Sequence, residues 1–384
     1  MIPYGRQQID ATDIAAVIET LQSDFLTQGP KVPAFEQAVA RHCQARFAVA
    51  MNSATSALHL ACLALQVGPG DVVWTSPISF VASANCALYC GANIDFVDVD
   101  EQTGLMDPAA LEQKLQQAQA SGTLPKVVIP VHLAGHSCDM ERIAAICSPF
   151  GIRIIEDASH AIGALYQQRP VGCCQYSDIT VFSFHPVKII TSAEGGMALC
   201  NDPVLDSQLR LLRSHGITRD AGEMTEQSHG PWYYQQIGLG FNYRMTDLQA
   251  ALGLSQLDRL PQFVQQRIKA TEIYQQLLQD LPVNLPVPAV DGISAWHLYI
   301  IRLQQPLQRL QVFEQLRAAG IGVNVHYIPI HTQPYYQNLG FDWGQFPHSE
   351  SFYSEIISLP LFAGITIAQQ QQVADALRQA CGTR

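Results

Sequence analysis

Two residues in this sequence have surroundings that would alter their chemistry. Asp157 ends the run IRIIED at 152–157, and Lys188 follows the run DITVFSF at 178–184. Each run is short, β-branched and aliphatic, the pattern of a buried parallel strand, and each then breaks into polar residues and glycine. In an open α/β sheet, ligands bind beyond the carboxyl ends of such strands, so a carboxylate and an amine are expected to converge there. Val187, Ile189 and Ile190 flank Lys188 and would strip water from its ammonium, lowering its pKa. A lysine treated this way is a candidate Schiff-base nucleophile. The aspartate is then a natural partner for a protonated pyridine nitrogen, the arrangement that makes pyridoxal phosphate an electron sink.

Further residues could serve the same chemistry. Asn52, Ser53 and Thr55 open a long apolar segment running to about Leu65. Hydroxyls at such a strand-to-helix junction act as an ordinary N-cap or as part of a phosphate cradle, where free amides and the helix dipole favour an anion. Ser183 reads equally as a strand hydroxyl or a site residue, and Phe80 as core or site. The turn Glu194-Gly195-Gly196 has glycines that permit close backbone approach to a ligand. His160 and His185 invite a metal or a general base, but no further ligands stand at telling offsets, and no metal is expected.

The elements that must hold these residues follow from periodicity. Helices are expected over 10–22 and 33–45, a strand over 46–51, and a helix from 52–55 to about 65. Strands at 71–75, 94–99 and 126–133 then alternate with helices at 79–90, 108–120 and 140–149, ahead of the strand ending at Asp157. This alternation predicts a mainly parallel sheet between helices. Beyond Lys188 come a strand at 196–200, a helix at 205–213, a long Gly- and aromatic-rich connection at 214–243, and a long helix or broken pair at 245–281. A proline-rich stretch at 282–292 precedes strands at 296–303 and 322–326, a helix at 308–319 and a terminal helix from Ile367. The expected division is a large domain over 1–245 and a smaller α+β unit over 246–384.

Composition bounds the function. The 384 residues suit one large domain plus a smaller one, and 48% hydrophobic content supports a sizeable core. With 22 Lys and Arg against 33 Asp and Glu, the net charge of -11 disfavours a general nucleic-acid surface, leaving room only for a local basic pocket. Ten cysteines lack any CxxC pair and are mostly set in apolar runs, as expected of reduced thiols in a cytoplasmic enzyme. No apolar leader and no run of about 18 apolar residues is present, so a soluble, unexported protein without membrane partners is expected.

Several motifs in register, spread over nearly the whole length, carry a resemblance. They are LTQG at 26–29, NSATSALHL at 52–60, TSPISFVASANCALYCGA at 75–92, EDASHAIGA at 156–164, FSFHPVKIITSAEGG at 182–196, GFNYRMTDLQAALG at 240–253 and VNVHYIPI at 323–330. The chain resembles the sugar aminotransferase family named after DegT, DnrJ, EryC and StrS, a branch of the fold-type I pyridoxal phosphate enzymes. TSPISFVASAN, VHLAGHSCDM and FSFHPVK are similar to the members that aminate C4 of a UDP-linked 2-acetamido-2,6-dideoxy-4-keto-L-sugar in pseudaminic acid biosynthesis, with L-glutamate as donor.

The resemblance implies that Lys188 forms the Schiff base with pyridoxal 5′-phosphate and moves protons, that Asp157 pairs with the pyridine nitrogen and that Phe80 stacks on the ring. It implies that His160 contacts the ring side or phenolic oxygen, and that Ser53, Ala54, Thr55 and Ser183 hold the phosphate. Asn242 is expected to reach the phosphate site of a neighbouring subunit, making a homodimer with composite sites. Tyr4, Asp24, Phe25, Leu26, Thr27, His326 and Tyr327 match positions lining the sugar nucleotide site. Ile189-Ile190 and Cys173-Cys174 depart from the family pattern without removing a catalytic group. Related sugar dehydratases carry His where the Schiff-base lysine belongs, so Lys188 argues against that chemistry. The intact Lys, Asp and Ser set argues against a non-catalytic sugar-nucleotide sensor.

Overall fold

The computed structural model describes residues 1–287, 291–305 and 308–382. Its largest sheet has seven strands in the order Phe47–Met51, Gly196–Cys200, Ile179–Ser183, Arg153–Asp157, Val127–Ile129, Val72–Thr75 and Asn93–Phe96. The five strands from Ile179–Ser183 to Asn93–Phe96 run parallel, as the βαβ alternation predicts. Gly196–Cys200 is the reversed strand, antiparallel to both of its neighbours. The reason is local: strands Ile179–Ser183 and Gly196–Cys200 are consecutive and adjacent, joined by the 184–195 loop, and adjacent consecutive strands without a crossover must run antiparallel. That loop carries Lys188 back over the carboxyl end of its own strand.

Helices cover both faces of this sheet, and apolar clusters form on each. One holds Val49, Met51, Leu58, Leu60, Ile155 and Val181, and the other holds Phe35, Ala48, Ala50, Phe182, Phe184 and Met197. The alternation of Val49 and Met51 with Ala48 and Ala50 is the period-two signature of a strand buried on both sides. A second sheet of Val283–Asn284, Tyr299–Leu303 and Ile356–Leu359 packs with the terminal helix Ile367–Ala380 around Tyr274, Tyr299, Ile301, Leu316 and Leu377. Helix Leu260–Leu278 links the two regions, contributing Leu260, Phe263 and Val264 to the first and Ala270, Tyr274 and Leu278 to the second. Asp247–Asp258 precedes it as a separate helix, so the 245–281 segment is the broken pair.

The structure corrects several boundaries. The expected strand at 322–326 is absent, because its neighbours divide the pairing: Gly322 donates to Ile2, and Asn324 forms an isolated bridge with Ser358. The 126–133 strand shortens to Val127–Ile129, since Pro130 has no N–H to continue the ladder. Strand Ile356–Leu359 and the hairpin Leu165–Tyr166 with Arg169–Pro170 carry too few residues to show a period. Part of the proline-rich 282–292 stretch, residues 288–290, lies outside the described residues. No described helix is long and apolar enough to cross a membrane.

Candidate active site

A cavity of about 420 Å³ opens beyond the carboxyl ends of the parallel strands. Asp157 and Lys188 both line it, as do Ser53, Ala54, Thr55, Phe80, His160, Ser183, Tyr4, His326 and Tyr327. Asp157 is the last residue of its strand and only 4% exposed. Its Oδ2 accepts the Ser83 hydroxyl at 2.6 Å, and its Oδ1 accepts the Ser159 hydroxyl at 2.6 Å and the Ser159 amide at 3.1 Å. Ser83 is in turn bonded to Ser79 at 2.7 Å. Three donors therefore fix the carboxylate while it faces the cavity. Glu156, the preceding residue, points to the other side of the strand, where it accepts from Thr180 and pairs with His132.

Lys188 sits in a tight loop. Its amide donates to the His185 carbonyl, Ser192 N–H donates to Phe184, and the Ser192 hydroxyl donates to Glu194. Ile189 and Ile190 are buried beneath it. Burial lowers the ammonium pKa to about 8, and the charge of Asp157 acts in the opposite direction. The desolvation expected from the apolar flanks is thus the dominant effect.

The other end of the cavity is the start of helix Ala54–Ala64. Ser53 caps it, its Oγ accepting the Ser56 amide at 3.1 Å, while Ser53 also lines the cavity. Cap and cradle are the same residue here. The first amides of a helix have no intrahelical partner, so those of Ala54 and Thr55 remain for an anion. A Cβ on Gly196 would lie 2.4 Å from Ala54 N, so glycine there lets the helix start sit against the strand end beside Ser183. This close approach is between backbones of the protein itself. Phe80 is 60% exposed at the cavity wall, which removes the core reading.

On the far wall, His160 Nδ1 accepts the Ala134 amide at 3.3 Å and its Nε2 lies 3.1 Å from the Tyr327 hydroxyl. His326 has both ring nitrogens engaged, with Ser358 at 2.8 Å and Asn324 at 3.3 Å, and packs on Tyr4 at 5.4 Å. Burial holds His160 well below the usual histidine range and His326 at about 4, with Lys188 adding to both shifts.

Some expected residues are not in the cavity. Asp24, Phe25, Leu26 and Thr27 form an exposed loop outside it. That loop is tied to helix Asp247–Asp258, where the Asp247 amide donates to Thr27 and the Asp247 carboxylate accepts the amides of Lys31 and Val32. Asn242 is exposed elsewhere, bridged to Ser214. Conversely, Ser83, Ser159 and His297 were not singled out from sequence. Ser79 and Ser83 stand one helical turn apart in TSPISFVASAN, a signal that only a fixed helix start would have made readable. The His297 ring lies tilted against that of His160 at 4.3 Å between centroids, and its buried Nδ1 has no hydrogen-bond partner among the described residues.

The donor set fits pyridoxal phosphate: a carboxylate for a ring N–H, amides and hydroxyls at a helix start for a phosphate, an amine between them and an aromatic wall. A seven-stranded mixed sheet with this arrangement at its strand ends is the site of a pyridoxal phosphate enzyme. The chain belongs to the DegT/DnrJ/EryC1/StrS aminotransferase family, which it matches over residues 7–378. The spore coat polysaccharide biosynthesis protein SpsC of Bacillus subtilis (strain 168) is 39% identical over 384 residues, with 98% of this chain and 96% of that protein covered. Among solved structures, the putative sugar aminotransferase Spr1654 from Streptococcus pneumoniae in its PMP form has a TM-score of 0.92 at 32% identity, covering 100% of this chain and 99% of that one. Helicobacter pylori PseC, an aminotransferase involved in the biosynthesis of pseudoaminic acid, has a TM-score of 0.91 at 32% identity, with 99% of each chain covered. Spr1654 is also known in a PLP form. The cofactor of this protein is pyridoxal 5′-phosphate.

Proposed function

We propose that this enzyme transfers the amino group of L-glutamate to C4 of a nucleotide-linked 4-keto-6-deoxy sugar. The preferred acceptor is the UDP-linked 2-acetamido-2,6-dideoxy-4-keto-L-sugar of pseudaminic acid synthesis. The observation that carries the reading is the meeting of Lys188 and Asp157 in one cavity that also reaches the start of helix Ala54–Ala64. Similarity to PseC, together with the TSPISFVASAN and FSFHPVK motifs, supports the choice of sugar.

When bound, the cofactor supplies an electron sink for the charge left on carbon as a proton departs. Asp157, held by Ser83 and Ser159, would accept the ring N–H and so keep the ring cationic. Ser53, Ser183 and the amides of Ala54 and Thr55 would hold the phosphate, and Phe80 would pack against the ring. Lys188 would hold the cofactor, and its amine would take a proton from the amino donor's carbon and return one to the sugar carbon. An amine whose pKa lies near 8 suits both directions. Tyr4, His326, Tyr327 and the loop of Asp24, Phe25, Leu26 and Thr27 receive the sugar nucleotide. We further assign Asn242 to the phosphate site of a second copy. Its exposure, with Leu239 at 80% and Trp232 at 72% exposed in the same 214–243 connection, supports a covered surface.

Amination of a panel of nucleotide-linked 4-keto sugars, with product configuration read by NMR, tests the assignment. Preference for the UDP-linked L-sugar is expected. Exclusive use of a dTDP-linked D-sugar would overturn the narrow choice, and failure with every sugar while 2-oxoglutarate is still released would overturn the sugar reading.

A further inference from the structure

A backbone amide can only donate a hydrogen bond, so His160 Nδ1, which accepts the Ala134 amide at 3.3 Å, carries a lone pair. A neutral imidazole with Nδ1 unprotonated has its hydrogen on Nε2. Nε2 lies 3.1 Å from the Tyr327 oxygen, which fixes the direction: His160 donates and Tyr327 accepts. The Tyr327 hydroxyl proton then has no acceptor among the described residues. Tyr327 lines the cavity, with Phe80 at 6.4 Å between ring centroids.

The source of this polarity is rigid. Ala134 has φ 59, and its carbonyl accepts the amides of His297 and Leu298 while its own N–H meets His160. The Ala134 N–H belongs to the Leu133–Ala134 peptide, whose carbonyl accepts the His136 amide, so that peptide cannot turn without breaking both of its bonds. Burial keeps His160 neutral and raises the Tyr327 pKa, so both groups hold these protonation states through neutral pH. His326, the neighbouring imidazole, has no nitrogen to spare.

We propose that Tyr327 donates its free hydroxyl proton in a hydrogen bond to the keto oxygen of the acceptor sugar, with His160 as the positioning residue that turns this proton toward the cavity. The inference rests on the sugar reading given above. Such a donor strengthens as negative charge gathers on oxygen during attack by nitrogen at the carbonyl carbon. Tyr327 remains a hydrogen-bond donor throughout and exchanges no covalent group.

The test measures the two half-reactions separately in single turnover. Tyr327→Phe should slow the keto-sugar half about 10–100-fold more than the glutamate half, as expected for loss of one transition-state donor. Equal slowing of both halves, or of neither, overturns the proposal. His160→Gln can accept from Ala134 through Oε1 and donate through Nε2, so it should retain the wild-type ratio of half-reaction rates. His160→Glu accepts from both neighbours, draws the tyrosine proton away, and should reproduce the ratio of Tyr327→Phe. Matching ratios for the two His160 variants would contradict the positioning role. Ring-nitrogen NMR of histidine-labelled protein before cofactor addition gives an independent readout. A pyridine-like Nδ1 and pyrrole-like Nε2 at His160 are expected, and the opposite tautomer or an imidazolium overturns the assigned direction. A wild type that deaminates glutamate but aminates no keto sugar defeats the sugar reading and the keto-oxygen contact together. The NMR result would still decide the His160–Tyr327 bond.

Discussion

Lys188 draws its reactivity from what surrounds it. Ile189 and Ile190 are buried, and the resulting loss of hydration outweighs the attraction of Asp157, bringing the amine to about 8. Only the neutral amine attacks a carbonyl, and it becomes the majority form as pH rises through that value. Reaction of the cofactor-free protein with pyridoxal phosphate should therefore accelerate with pH and level off above about 8; half-maximal reactivity near the ordinary lysine value would contradict the desolvation argument. Both partners were legible in the sequence because each follows an apolar strand run. The donors to Asp157 were not: Ser83 stands far from it in the chain, and its aim depends on where helix Ala82–Tyr89 begins. His297 was hidden for a similar reason, since the stretch 296–303 reads as strand throughout, whereas the strand starts only at Tyr299.

At the scale of elements, the site depends on the reversed strand and the helix start pressed against it. Gly196→Ala would put a methyl group 2.4 Å from Ala54 N, which backbone atoms cannot accommodate without moving. The expected cost is about 1–3 kcal/mol of stability, seen in thermal or denaturant unfolding. Because the displaced groups are those assigned to the phosphate, pyridoxal phosphate affinity should also fall by about tenfold or more, measured by spectral titration. Unchanged affinity would show that this helix start does not hold the phosphate. Long periodic elements were readable from the sequence: the terminal helix was expected from Ile367, where Ile367–Ala380 begins. Segments paired through distant chain were not: the 322–326 stretch looks like a strand, but its bonds go to Ile2 on one side and Ser358 on the other.

Across the whole molecule, Arg267 joins the long helix to the segments that shape the far wall of the cavity. It is 1% exposed, and its guanidinium donates to the carbonyls of Trp296, His297 and Leu361. Burial lowers its pKa to about 10, so it remains a cation at neutral pH. Arg267→Met would leave these carbonyls unpaired and should destabilise the protein by about 2–4 kcal/mol, read as a lower midpoint in denaturant unfolding. Light scattering in solution should give the mass of a dimer; a monomer that retains full activity would remove the composite-site assignment of Asn242. The measurement closest to the central claim is borohydride reduction of the cofactor-loaded enzyme followed by peptide mapping. The phosphopyridoxyl group is predicted on Lys188 and to be absent after Lys188→Ala. Its appearance on any other lysine, or on none, would contradict the account.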